Sequence, residues 1–115
     1  MKENFLNKDM KKTLLKIHIL HRIKRSKVNS YSLLKEISSN SHSGRFFKNK
    51  AEIKNEVYNT INSLEKSGYI ESSRKVESGR LKNFYAPTEK GTEVLKSAKV
   101  IFLKNMKELV LIMKE

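Results

Sequence analysis

A mainly α-helical domain carrying one small β-hairpin is the fold class this sequence predicts, and three observations predict it. Apolar residues recur at spacings of three and four through most of the 115-residue chain, the signature of amphipathic helices. One such run ends on "KSG" and gives way at once to two short runs of strand type, "YIESSRKVE" and "LKNFYA", with Ser and Gly between them. After the sole proline, Pro87, a long striped segment continues to the end of the sequence.

The length suits one modest core. With no Trp and no Cys, that core has to be assembled mainly from Ile, Leu and Val without disulfide staples, so burial against a second copy is the expected additional source of stability.

The first helix is expected from Asp9 to about Lys27. Met10, Leu14, Ile17 and His21 share one of its faces, while Leu15, Ile19 and Ile23 share another. Two apolar faces call for two neighbours; the face bearing Leu15 and Ile19 is assigned to a partner chain. A second helix, roughly Ser30 to Ser38, opens on an Asn-Ser cap signal and turns Leu33, Leu34 and Ile37 inward. The following "SNSHSGRFFKNK" is a loop by composition, with Phe46 and Phe47 packing locally.

The third helix begins between Ala51 and Asn55 and runs to Ser67. Val57, Ile61 and Leu64 fall within about a quarter turn of Ile53, which defines a buried face. The opposite side carries Asn55, Asn59 and Asn62 with Lys66, flanked by Tyr58 and Lys54. Gly68 stops it, because glycine at this place takes the left-handed conformation that caps free carbonyls. Strands then follow from Tyr69 to about Glu77 and from Leu81 to Ala86, with Gly79 supplying a positive φ in the turn. Thr88 is the expected N-cap of the last helix, and Glu89 lies against its dipole. To about Lys114 that helix spans roughly 40 Å. Leu95, Ala98, Phe102, Met106, Leu109 and Met113 form a seam along it, broadened by Val94, Ile101, Val110 and Ile112. A helix reaching so far beyond a small core needs another molecule to cover its seam.

Helix, helix, helix, strand, strand, helix, with a basic hairpin directly after a capped third helix, is the order of a winged helix-turn-helix. Residues 1–87 are accordingly expected to bind DNA and 88–115 to dimerise. The third helix stops sharply so that the hairpin can fold back beside it. Its exposed side stays polar to meet base edges. An Asn amide donates and accepts at once, matching the N6/N7 pair of adenine; since Asn is frequent throughout this chain, at least one of Asn55, Asn59 and Asn62, rather than all three, is expected to read a base. Arg74, Lys75, Arg80 and Lys82 on the hairpin suit phosphates or the minor groove, and Lys48, Lys50, Lys54 and Lys66 suit phosphates around the third helix.

Charge points the same way. Lys and Arg number 25 against 12 Asp and Glu, a net +13. A field of that size attracts polyanions, of which nucleic acid is the commonest partner for a small basic domain. Duplex DNA is favoured over A-form RNA, whose major groove is too narrow for a helix. No enzyme is expected: there is no Cys, no Gly-rich nucleotide loop, and no His with a nucleophile and an orienting acid. His18, His21 and His42 are read as packing or surface residues, so neither metal nor cofactor is expected. The polar start "MKENFLNKDMKK" and the lack of a run of roughly 20 apolar residues suggest a cytoplasmic, nucleoid-associated protein.

The stretch "EVYNTINSLEKSGYIESSRKVESGRLKNFYAPTEKGTEVL" resembles the PadR family of transcriptional regulators. The matching positions are Tyr58, Leu64, Glu65, Gly68, Gly79, Arg80, Tyr85, Thr88, Glu89 and Gly91. Together they cover about Asn55 to Leu95. Two departures stand out: Asn59 follows Tyr58 where the family commonly has Pro or a small residue, and the loop before the third helix, with its "GRFF", is longer. The resemblance implies a homodimer joined through the last helix with help from the first. It also implies repression by operator binding, often relieved by a small molecule. The function expected is therefore that of a sequence-specific regulator, probing successive major grooves of a palindromic site. A non-specific architectural protein that coats DNA would share the fold, the dimer and the charge.

Overall fold

The computed structural model describes residues 8–39 and 49–115. In chain order they form α1 (Lys8–Arg25), β1 (Val28–Asn29), α2 (Ser30–Ser39), α3 (Lys50–Lys66), β2 (Ile70–Glu77), β3 (Arg80–Pro87) and α4 (Glu89–Lys114). His42, Phe46, Phe47 and Lys48 lie outside the described residues, as does the side chain of Met10.

All the expected helices and both expected strands form, and β1 is added to them. Two residues are too few to display a strand period, which is why β1 is not legible in the sequence. It exists by pairing: Val28 and Asn29 lie antiparallel to Tyr85 and Phe84, giving the sheet order β1-β3-β2. Asn29 also opens α2, its Oδ1 accepting from the Ser32 N–H at 2.8 Å. The β2–β3 hairpin closes through a two-residue turn in which Ser78 (φ 53°) and Gly79 (φ 77°) both have positive φ. That turn matches the natural twist of a hairpin.

The core collects one stripe from every element. Leu15, Ile19 and Ile23 of α1 meet Leu33 and Ile37 of α2 and Val57, Ile61 and Leu64 of α3, with Ile70, Tyr85 and Leu95 closing the base. Each of these apolar side chains leaves water on folding, the dominant favourable term in a domain of this size. Arg22 braces α1 against α2 by a two-pronged pair to Glu36 at 2.7 and 3.0 Å.

Three residues assigned to a partner chain belong here instead. Leu15 and Ile19 are 2% and 0% exposed, and Leu95 is 1% exposed, so the protomer consumes their surface itself. The periodicity separates two faces of α1 but not which of them turns inward. Leu15, Ile19 and Ile23 do; Leu14 and Ile17 are half-buried and His21 is exposed. Leu95 likewise places the opening turns of α4 in the common core.

Candidate nucleic-acid interface

α3 is defined at both ends by its own side chains and backbone. Asn49 is extended (φ −157°, ψ 173°) and its side chain accepts from the Glu52 N–H at 2.9 Å, an N-cap that fixes the first turn. At the other end Gly68 (φ 79°) donates its N–H to the Glu65 carbonyl at 3.0 Å and Tyr69 donates to that of Leu64 at 2.9 Å. These paired bonds over a left-handed glycine are a Schellman cap.

That cap is bolted to the start of α4. Thr88 Oγ1 donates to the Gly68 carbonyl at 2.6 Å and accepts from the Gly91 N–H at 3.1 Å, while the Thr88 N–H reaches the Tyr69 carbonyl at 3.1 Å. Lys90 donates to the Ser67 carbonyl at 2.8 Å and lies 4.7 Å above the Tyr69 ring. Gly91 passes so close to Tyr69 that a Cβ there would sit 1.9 Å from its carbonyl oxygen. Only a residue without a side chain fits. On the wing side, Ser72 of β2 donates to Glu65 of α3 at 2.7 Å. Burial, and then the neighbouring Glu65 carboxylate and Tyr58, push the Tyr85 phenol above its ordinary value. Glu65, Gly68, Tyr85, Thr88 and Gly91 thus converge on the joint between α3, the hairpin and α4.

With Ile53, Val57, Ile61 and Leu64 inward, the outward side of α3 is settled. Lys50, Lys54, Asn55, Asn59, Asn62 and Lys66 are exposed and Tyr58 is half-buried toward the hairpin. Asn59 lies on the opposite flank, where it lines a shallow groove with Ser63, Glu56, and Lys12 and Lys16 of α1. These two lysines place cations beside the outward face of α3; with Lys8 they are spaced by four along α1, but that spacing does not show that they stand against Asn59. Lys50, Lys54 and Lys66 are matched on α3 by Glu52, Glu56 and Glu65, so the helix is amide-rich and electrically balanced.

The hairpin differs. From Glu71 to Leu81 every residue is exposed, and Arg74, Lys75, Arg80 and Lys82 outnumber Glu71 and Glu77. Strand alternation divides these groups. Arg74, Val76, Leu81 and Asn83 continue the face that carries Ile70 and Tyr85, whereas Lys75 and Lys82 face each other directly on the reverse side. Like charges in that register repel. Glu77, 3.7 Å from Lys82, offsets part of the cost.

Helix, strand, helix, capped helix and basic hairpin stand in the order and pairing of a winged helix-turn-helix, and the model of the transcriptional regulator PadR-like family matches residues 19–97. The chain belongs to that family. Solved structures share this PadR-like fold. A PadR-like transcriptional regulator from Bacillus cereus superposes with a TM-score of 0.75 at 23% identity, over 93% of this chain and 98% of that one. A transcriptional regulator from Thermoplasma acidophilum gives 0.73 at 16% identity, over 94% and 98%. PadR of Bacillus subtilis, crystallised with operator DNA, gives 0.59 at 20% identity, over 73% of this chain and 44% of that chain. No curated protein matches the sequence. Among the described residues of this PadR-like chain, no cluster of three His, Cys, Asp or Glu is placed to hold a metal and no helix is long and apolar enough to cross a membrane.

Proposed function

We propose that this PadR-like chain is a sequence-specific regulator that binds duplex DNA as a homodimer and represses transcription from a roughly palindromic operator, acting on the nucleoid in the cytoplasm. One observation carries the reading: a charge-balanced helix presents a row of amides outward and is fixed at both ends, with cations on either side of it. A helix held that rigidly can enter a major groove with its amides at the base edges. Arg74, Lys75, Arg80 and Lys82 on one flank, with Lys12 and Lys16 on the other, then meet phosphates. The Bacillus subtilis PadR complex, with the same fold and operator DNA, supports the choice of ligand.

The dimer is argued from α4. Beyond Phe102 it has no buried residue, yet Leu103, Met106, Leu109, Val110, Leu111, Ile112 and Met113 are all exposed. An apolar stretch of this extent is stable in water only when covered. A second α4 is the self-complementary cover, and two-fold symmetry then sets the two α3 helices about one helical turn of DNA apart. Ala98, Phe102, Met106, Leu109 and Met113 remain the seam.

The architectural alternative draws on α1, where Asp9 alone opposes seven Lys and Arg. Selection of bound duplexes from a random pool separates the two. A regulator enriches a two-fold symmetric site and prefers it to random duplex by about 10³ or more. A ratio near one, with no enriched motif, would establish coating instead.

A further inference from the structure

Where α1 meets α4, basic side chains from both helices gather without an acid to offset them. Lys99 Nζ of α4 lies 3.0 Å from His21 Nδ1 of α1. An ammonium has only donors, so the neutral imidazole accepts at Nδ1 and keeps its proton on Nε2. Lys24 and Arg25 follow His21 by three and four positions on the same helix, the spacing of surface neighbours. Burial first, and then Lys99, Arg25 and Lys24, push the His21 imidazole below its ordinary value, and no carboxylate among the described residues opposes them. His18, one turn earlier, faces His21 as well; Glu36 of α2 acts on His18 and is held by Arg22 at 2.7 Å. Cations suit the last turn of a helix, which accounts for Lys24 and Arg25. It does not account for Lys99, which arrives from another helix. The cluster also faces away from α3: at about 100° per residue, His21 lies roughly 180° around α1 from Lys12 and roughly 140° from Lys16, the two lysines that border α3.

We infer that His21, Lys24, Arg25 and Lys99 form a site for a small tetrahedral dianion of the phosphate and sulfate class, taken up together with a proton on His21. Three fixed cations and an imidazolium offer two negative charges a full set of charged donors. In the neutral state Lys99 and His21 bond each other and close the gap between them. Protonation puts a hydrogen on Nδ1, both groups then donate, and an oxyanion between them accepts from both. The anion offsets the repulsion that the imidazolium meets from its neighbours, so proton and anion each favour the other. Lys99 stands one turn beyond Leu95, the last buried residue of α4. The occupied site therefore ties α1 to α4 at the point where α4 leaves the core. None of this depends on the DNA-binding reading.

Sulfate is the probe, because it remains a dianion across the pH range in question. The intact protein is titrated at constant ionic strength, with chloride as the balancing anion, while the imidazole signals of its histidines are followed by NMR. Sulfate should move the His21 signals saturably and bind about tenfold more tightly at about pH 5.5 than at about pH 7.5. His21→Gln should abolish that pH dependence, and Lys99→Ala should weaken sulfate several-fold at the lower pH. His21 is exposed and Lys99 half-buried, and circular dichroism checks that both variants fold. Inorganic phosphate should compete with sulfate, and excess duplex DNA should leave the His21 response in place. An equal response to chloride and sulfate is diffuse screening and overturns the inference. So does a pH dependence that survives in His21→Gln, and so does displacement of sulfate from His21 by the duplex.

Discussion

α3 and the β2–β3 hairpin are neighbours in sequence and touch through Ser72 and Glu65, but they are built on opposite plans. α3 buries five residues, caps both ends and balances Lys against Glu. The hairpin buries only Ile70 and Tyr85, both at its base, and carries an excess of cations along two exposed faces. The difference teaches how, in the proposed DNA complex, affinity and selectivity are divided. A rigid neutral face gains little from a phosphate at random but can match one set of base edges. An exposed, cationic hairpin gains from any phosphate and discriminates poorly.

The contrast breaks most severely if α3 loses its anchorage. Ile61→Ala removes a fully buried side chain and should cost about 2–5 kcal/mol of unfolding free energy, measured by urea denaturation, whereas Lys75→Ala on the hairpin should change stability by less than about 0.5 kcal/mol. Next comes the joint with α4. Gly91→Ala forces a methyl onto the Tyr69 carbonyl and should cost about 1–3 kcal/mol, with the midpoint of thermal unfolding as the readout; an unchanged midpoint would mean that the joint yields freely. Ser72→Ala cuts the tie between helix and hairpin and should cost roughly 1 kcal/mol or less, since the bond is exposed. Smallest is Glu77→Gln. It frees Lys82 from an exposed pair of the kind worth about 0–1 kcal/mol, and should tighten binding to random duplex slightly without changing the preference for the selected site.

The sequence displays most of this plan, and its failures have physical causes. The Gly68 stop of α3, the Thr88 cap of α4, the Gly79 turn and the buried stripe of α3 are local, and each is legible from spacing and residue type, whereas the Asn49 cap puts the start of α3 at Lys50, just ahead of the Ala51 to Asn55 window expected. β1 is not, because its existence depends on Tyr85 and Phe84 more than fifty positions away. The inward face of α1 is not legible either, since Leu14 and Ile17 are as apolar as Leu15 and Ile19; only the neighbours decide. For the interface, the outward amides of α3 follow from its periodicity. The sequence gives no sign, however, that Lys12 and Lys16 lie beside Asn59 or that Lys99 meets His21, because these are contacts between elements. The family motif gains a physical reading: Gly68, Thr88 and Gly91 hold the corner that sets α3 relative to α4, so the angle between α3 and the proposed dimer helix is fixed by contacts at that corner.

The division of labour is tested most directly by titrating Asn55→Ala and Arg80→Ala against the selected and a random duplex across a salt series. Asn55→Ala should weaken binding to the selected duplex alone, by about 1–3 kcal/mol, and leave the salt slope intact. Arg80→Ala should weaken both duplexes alike and reduce the slope by about one. If both substitutions lower both affinities equally, α3 reads no bases and the distinction drawn between the two regions is wrong.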